Sequence, residues 1–153
     1  MSKIAFVFPG QGSQYVGMCK AFYDQYPVAR QLFEEADDAL GFSLTKLCFE
    51  GPEAELRLTY NTQPAILTAS TICAEILKQH GAVADIAAGH SLGEYSALVN
   101  AGAMKFADAV RIVRQRGQFM QEAVPVGEGS MSAVMGLANE TIVELCQKVE
   151  AET

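Results

Sequence analysis

The chain has 153 residues, of which half are hydrophobic and 19% are charged, with a formal net charge of -7. This length suits one ordinary domain with a sizeable buried core, and the composition is far from that of a disordered segment. The negative charge argues against broad binding to nucleic acid or to an anionic membrane surface. A local basic patch is still possible, because Arg111, Arg114 and Arg116 lie close together in the sequence.

The cysteines and histidines predict no structural metal site. Four cysteines are widely spaced, without a C-x-x-C pair, and the chain has two histidines. Zinc sites need closely spaced thiol and imidazole ligands, so structural zinc is not expected. The first ten residues do not resemble a secretory leader, and no apolar segment is long enough to span a bilayer. We therefore expect a cytoplasmic protein with reduced thiols.

The first half of the chain alternates between one strand and several helices. Residues 4–8 form a continuous apolar run, which predicts a strand buried on both faces. Helices are predicted over 15–26 and 27–40, the second closed by Gly41, followed by short helical pieces over 43–51 and 52–58. Thr62 is predicted to cap a helix whose second residue is Pro64 and which ends at Gly81.

The second half adds two more strands. A small apolar run over 84–88 predicts a strand, and helices are predicted over 92–100 and 105–123. Residues 130–137 predict a third strand, and Asn139 is predicted to cap a helix over 139–150. Strands separated by helices indicate an α/β protein with a parallel sheet. Three strands among at least six helices, with the chain stopping after a β–α pair, predict a chain truncated mid-fold.

A serine lies between two glycines at Gly89-His90-Ser91-Leu92-Gly93. The pattern G-x-S-x-G between a strand and a helix is typical of a nucleophile elbow. The turn in such an elbow is so tight that side chains at its two glycine positions would clash. The alternative is a glycine-rich connection whose serine only caps the following helix.

Neither histidine is a convincing base for this serine. A serine nucleophile needs a base within hydrogen-bond reach. His90 is adjacent to Ser91 in a tight turn, where neighbouring side chains diverge, so we expect it to pack and hydrogen-bond beneath the turn. His80 is expected to serve as a favourable charge at the end of the preceding helix. The sequence therefore predicts that the base is not in this chain.

A glycine-rich loop, "PGQGSQ", follows the first strand. Gly10 and Gly12 begin a G-x-G-x-x-G pattern, but Tyr15 stands where its third glycine would be, so the dinucleotide fingerprint fails. The absence of G-K-[ST] also excludes a P-loop. Open α/β sheets bind ligands at the carboxyl ends of their strands, so this loop's amides are candidate oxyanion donors. A simple turn with a helix cap is the alternative.

Arg116 falls on the apolar face of the predicted helix over 105–123. At 100° per residue it lies between Ala109 and Ile112, with Met120 close by, whereas Arg111 and Arg114 are predicted on the opposite, polar face. A guanidinium on an apolar face must be paired or bind an anion, because it cannot lose its charge. A structural ion pair, or a side chain that extends to water, is the alternative.

Four segments together resemble one enzyme family. "FPGQGSQ" (8–14), "TQPAIL" (62–67), "GHSLGEYSALV" (89–99) and "RGQFMQEAVP" (116–125) are similar to the malonyl-CoA:acyl carrier protein transacylases of type II fatty acid synthesis. The resemblance covers the whole chain and is far more specific than G-x-S-x-G alone. It implies an α/β-hydrolase-like parallel-sheet core over 1–127, followed by the first β-α unit of a ferredoxin-like subdomain over 128–153.

The resemblance also implies a reaction and the residues that carry it. Ser91 would take the malonyl group from malonyl-CoA and pass it to the phosphopantetheine thiol of acyl carrier protein. The backbone N–H groups of Gln11 and Leu92 would form the oxyanion hole. Arg116 would bind the free malonyl carboxylate. Met120 would line the same pocket and Gln63 would support it. No metal or prosthetic group is implied.

The sequence departs from the family in one respect. The family's base histidine and its orienting residue come from the second half of the chain, which is absent here. The chain is therefore expected to be inactive alone and to need the missing C-terminal half or another completing chain. Two alternatives remain at this point: a serine hydrolase or thioesterase with the same elbow, and a non-catalytic fragment that binds CoA or carrier protein.

Overall fold

The computed structural model describes residues 3–124 and 134–152. The chain divides into two compact units, Met1–Ala123 and Val124–Thr153. The predicted boundary between residues 127 and 128 remains a prediction. In chain order the first unit contains β1 (Ala5–Phe8), α1 (Lys20–Gln25), α2 (Pro27–Leu40), α3 (Leu44–Glu50), α4 (Glu53–Leu56), α5 (Thr59–Gln79), β2 (Ile86–Gly89), α6 (Gly93–Asn100) and α7 (Phe106–Ala123).

The two strands of the first unit pair in parallel, as the α/β pattern predicts. Their register places Ala5 opposite Ile86 and Phe8 opposite Gly89. The two strands therefore end together, which brings the loop after β1 beside the turn after β2. The prediction that β1 is buried on both faces is wrong for the described residues. Val7 is 77% exposed and Ile86 is 59% exposed, because no described element covers that side of the sheet.

The core lies among the helices rather than on the sheet. α5 packs against α7, and α2 packs against both. Gly117 allows the α5–α7 approach, because a Cβ there would lie 2.5 Å from the Tyr60 Cα. The fully buried apolar side chains of these three helices and of the short helices beside them include Phe33, Leu44, Leu56, Leu67, Ile72, Val110 and Val113.

α2 matches its prediction and α1 does not. Pro27 occupies the first turn of α2 and Gly41 ends it with a φ of 73°, as predicted. The helix predicted over 15–26 begins only at Lys20. Gly17 has a φ of 94° and Cys19 a φ of 60°, and neither angle belongs to a right-handed helix. A tertiary hydrogen bond from Gly17 N to the Cys48 carbonyl, at 2.7 Å, holds this turn.

α5 begins at Thr59, three residues before the predicted cap at Thr62. The buried Thr62 hydroxyl instead donates to the Leu56 carbonyl. Pro64 therefore lies inside the helix and cannot donate to the Tyr60 carbonyl. Arg114 supplies the missing hydrogen bond, since its Nη1 donates to that carbonyl at 3.0 Å. A side chain from α7 thus allows α5 to start earlier than local sequence signals indicate.

The second unit contains α8 (Asn139–Glu152). Asn139 is the first helical residue rather than the cap, since the Ala138 carbonyl accepts from Ile142 N at 3.2 Å. The strand predicted over 130–137 falls partly outside the described residues. Its described part, residues 134–137, forms no strand.

The described ranges contain neither a helix suited to crossing a membrane nor a cluster of metal-ligating side chains. None of the helices in these ranges combines the length and the apolar character that crossing a membrane requires. Within the same ranges, no group of three or more metal-ligating side chains could hold a metal ion.

Candidate active site

Ser91 sits on a strained turn between β2 and α6. Its φ is 53°, in the left-handed region that side chains other than glycine rarely adopt. Such strain persists only where the surrounding structure holds it, and it is concentrated at functional sites. The Gly93 amide donates to the His90 carbonyl at 2.9 Å, which closes the turn. Ser91 is exposed, whereas Leu92 behind it is fully buried.

The two glycines of the motif are required by close backbone contacts. A Cβ at Gly89 would lie 1.9 Å from the Gly93 carbonyl carbon, and a Cβ at Gly93 would lie 2.2 Å from the Phe8 carbonyl oxygen. All of these are backbone atoms, which cannot rotate away as a side chain can. The turn therefore has the steric character predicted for an elbow, and the capping alternative does not explain it.

The glycine-rich loop after β1 lies directly against this turn. A Cβ at Gly10 would lie 3.0 Å from the His90 carbonyl oxygen. Gln11 occupies the tip of the loop and Leu92 precedes the first residue of α6. Among the described residues, no acceptor takes a hydrogen bond from the backbone N–H of either one. Neither backbone N–H is therefore used in a hydrogen bond within the described part of the chain.

Arg116 connects the turn to α5 through a chain of hydrogen bonds. Its Nη2 donates to Ser91 Oγ at 3.1 Å, and its Nη1 donates to Gln63 Oε1 at 2.8 Å. The amide of Gln63 is fully buried, and its Nε2 donates to the Met120 sulfur at 3.2 Å. The four side chains come from three different elements, α5, α7 and the elbow. They form one connected cluster, called the Ser91–Arg116 cluster below.

The charge of Arg116 is not neutralised by a described carboxylate. The ion pairs among the described residues involve Lys20, Arg57, Lys78 and Arg111. The Arg116 guanidinium instead contacts two neutral oxygens and lies 5.9 Å from the centre of the Tyr95 ring. Cation–π attraction to that ring stabilises the charge weakly. A guanidinium so placed can bind an anion beside Ser91 without breaking an ion pair.

Arg114 is not on a polar face, contrary to prediction. Its guanidinium lies between the Phe42 and Tyr60 rings, 4.9 and 4.5 Å from their centres. It also donates to the Asn61 side-chain oxygen, and burial lowers its pKa. The helical wheel missed this because the contacting groups belong to other helices. Pro64, which leaves the Tyr60 carbonyl without its helical donor, was the available signal.

The histidines do not supply a base in the described structure. His90 is exposed rather than packed beneath the turn, so that expectation is wrong. Within the described residues, Arg116 is the hydrogen-bond partner of the Ser91 hydroxyl, and no carboxylate or imidazole accepts from it. His80 follows α5 and its Nε2 lies 3.4 Å from the Tyr26 hydroxyl. Among the described residues, no candidate base therefore contacts the Ser91 hydroxyl.

The chain matches a family of known acyltransferases. The acyl transferase domain family matches residues 5–150. The chain belongs to the acyl transferase domain family. Among curated relatives, the malonyl CoA-acyl carrier protein transacylase of Bacillus subtilis strain 168 is 57% identical over 152 residues, which are 99% of this chain and 48% of the relative. The protein of the same name from Escherichia coli O157:H7 is 53% identical over 97% of this chain and 48% of the relative.

Solved structures agree with this assignment. An acyl-carrier-protein S-malonyltransferase from Burkholderia pseudomallei 1710b is 53% identical with a TM-score of 0.84, covering 98% of this chain and 49% of that structure. A malonyl-transacylase solved in complex with a type II PKS acyl-carrier protein is 49% identical with a TM-score of 0.85, covering 97% of this chain and 48% of that structure. The chain thus spans about half the length of these acyltransferase relatives.

Proposed function

We propose that this chain provides the nucleophile half of a malonyl-CoA:acyl carrier protein transacylase of fatty acid synthesis. The observation that carries the proposal is the hydrogen bond of 3.1 Å between Arg116 Nη2 and Ser91 Oγ. It places a permanent positive charge beside a strained, exposed hydroxyl. The names of the relatives, with identities of 57% and 53%, support malonyl transfer as the reaction.

The first step forms an ester on Ser91. Its hydroxyl attacks the thioester carbonyl of malonyl-CoA and gives its proton to a base. The resulting oxyanion accepts hydrogen bonds from the N–H groups of Gln11 and Leu92, helped by the N-terminal end of α6. The thioester bond then breaks, and CoA leaves as its thiol after taking a proton. In the second step the phosphopantetheine thiol of acyl carrier protein attacks the ester and regenerates the Ser91 hydroxyl.

Arg116 selects the acyl group. One methylene separates the reacting carbonyl of a malonyl group from its free carboxylate, so a cation beside Ser91 Oγ is within reach of that carboxylate. A guanidinium can hold it with two parallel hydrogen bonds. Gln63 accepts a hydrogen bond from the guanidinium on the side away from the serine, and Met120 in turn accepts one from the Gln63 amide. A hydrolase has no need for such a cation, which disfavours the serine hydrolase alternative.

The general base comes from outside this chain. We propose that it is supplied by the half of the longer relatives that this chain does not span, or by another completing chain. The same half would cover the exposed side of the sheet, where Val7 and Ile86 now face solvent. The complete unit would then be an α/β-hydrolase-like core, with α8 at the start of a ferredoxin-like subdomain. Acyl carrier protein and malonyl-CoA are its partners, and the cytoplasm is its compartment.

Mass spectrometry after brief exposure to malonyl-CoA tests this proposal. The chain is mixed with the unmatched half of the Bacillus subtilis relative, and peptides are mapped for a malonyl ester. The expected adduct lies on Ser91, disappears in Ser91→Ala and persists in the control Ser43→Ala, which alters the serine that caps α3. Transfer to acyl carrier protein then follows.

Full turnover by the chain alone would refute the missing base, and an adduct that hydrolyses rapidly would favour a hydrolase. Absence of any Ser91 adduct in the mixture, with both halves folded, would favour a non-catalytic binding fragment.

A further inference from the structure

A groove of about 420 Å³ lies between β1, the loop that follows it, α1 and α5. None of its lining residues belongs to the Ser91–Arg116 cluster. Most of the lining is apolar, but it includes two thiols, Cys19 and Cys73. The apolar side chains around them include Phe6, Phe8, Met18, Ile66 and Leu77.

The two cysteines line this groove from different parts of the fold. Cys19 precedes α1 and is half-buried, whereas Cys73 lies on α5 and is exposed. Hydrogen bonding between the two thiols lowers the pKa of Cys73 to about 7 and, together with burial, raises the pKa of Cys19.

The other two cysteines lack this arrangement and serve as references. Cys48 is fully buried, and desolvation raises its pKa to about 12. Cys146 is exposed but lies in the second compact unit. A reactive thiol needs both thiolate character and solvent access. Cys73 combines the two, and a second thiol lines the same groove.

We propose that Cys19 and Cys73 form a redox modification site, in which a small peroxide oxidises Cys73 and Cys19 resolves the product into a disulfide. The site takes hydrogen peroxide or a small organic peroxide, which can enter the open groove. The disulfide would tie the residue that precedes α1 to the C-terminal half of α5. This proposal does not depend on the transferase activity.

The chemistry balances with the peroxide as the oxidant. The Cys73 thiolate attacks one peroxide oxygen and the O–O bond breaks. The sulfur loses two electrons and becomes a sulfenic acid, while the second oxygen leaves as hydroxide and is protonated to water, or leaves as an alkoxide and becomes an alcohol when the peroxide is organic. The Cys19 sulfur then attacks the sulfenic sulfur, the S–S bond forms and the S–O bond breaks. The departing hydroxyl takes the Cys19 proton and leaves as a second water.

Non-reducing peptide mapping tests the proposal on the whole chain. The reduced protein is treated at low concentration with a small molar excess of hydrogen peroxide, blocked with an alkylating agent and digested. We expect a peptide pair joined through Cys19 and Cys73, and its loss on adding dithiothreitol. A dominant Cys19–Cys48 link, or products confined to Cys146, would overturn the proposal. So would irreversible oxidation of Cys73 without a link to Cys19.

Two variants of Cys19 separate its two roles. Cys19→Ser keeps a hydrogen-bond donor but cannot form a disulfide, so peroxide should leave Cys73 as a sulfenic acid that dimedone traps. Cys19→Ala removes the donor as well, so alkylation of Cys73 at pH 7 should slow roughly tenfold. In Cys19→Ser that rate should remain within about twofold of the parent. Equal rates in Cys19→Ala and the parent would show that Cys19 does not activate Cys73.

Discussion

The close crossing of α5 and α7 predicts that Gly117→Ala destabilises the protein. The added Cβ would lie 2.5 Å from the Tyr60 Cα and 2.9 Å from the Thr59 carbonyl oxygen. Carbon atoms normally pack about 3.5–4.0 Å apart, so the helices must separate by about 1 Å. Overpacking of this kind costs up to about 3 kcal/mol. Alanine has a better helix propensity than glycine, which offsets about 1 kcal/mol of this cost. The free energy of unfolding should therefore fall by about 2 kcal/mol.

Thermal denaturation followed by circular dichroism measures this loss. At ~2–4 °C per kcal/mol for a chain of this size, the melting temperature should fall by about 6 °C. Gln118→Ala changes the next, exposed residue of the same helix and should alter stability by less than about 0.5 kcal/mol. Gly117→Ala with a melting temperature equal to or above that of the parent would refute the close-packing argument. The variant should also weaken the Ser91–Arg116 cluster, because Arg116 is its neighbour in α7.

Three further predictions concern the arginines and the elbow. If the proposed function is correct, Arg116→Ala lowers the rate of malonyl transfer relative to acetyl transfer roughly ten- to hundredfold, because a charged hydrogen bond contributes about 1.5–3 kcal/mol. An unchanged ratio of the two rates in the completed enzyme would exclude the carboxylate contact. Arg114→Ala should lower the free energy of unfolding by about 2 kcal/mol, because a carbonyl inside α5 loses its donor. Arg111 is exposed and its ion pair with Asp108 is open to water, so Arg111→Ala should lower the free energy of unfolding by at most about 1 kcal/mol. Equal losses for Arg114→Ala and Arg111→Ala in urea titrations would contradict this contrast. Gly93→Ala should cost at least about 3 kcal/mol, since its Cβ would meet the Phe8 carbonyl at 2.2 Å, and a native-like melting curve would show that the turn can relax.

Local sequence signals were reliable where neighbouring residues alone determine the backbone. Pro27 begins α2 and Gly41 ends it, as predicted. The fixed φ of proline and the left-handed φ of glycine are properties of single residues, so local sequence is enough to predict them. Ser91 was located in the same way, since two glycines around a serine after a strand leave few possible turns. Arg116 was placed toward the core by helical periodicity, and it contacts the predicted Gln63.

The signals failed where a contact from another element decided the outcome. The starts of α1 and α5 were predicted wrongly, because a hydrogen bond from Gly17 to Cys48 and another from Arg114 to Tyr60 override local preference. The contact between Cys19 and Cys73 could not be foreseen either, since 53 residues separate the two thiols in the sequence.

The amino-acid order by itself determined the chemistry available to this protein: one serine on a glycine-flanked turn, one arginine on an apolar helical face and no convincing base. Tertiary structure decided which of these groups meet. The parallel pairing of β1 with β2 brings the loop of Gln11 beside the turn of Ser91. The crossing of α5 and α7 at Gly117 brings Arg116 to both Gln63 and Ser91. Spacing along a chain specifies the direction of a side chain relative to its own element, whereas contact between elements depends on how their surfaces pack.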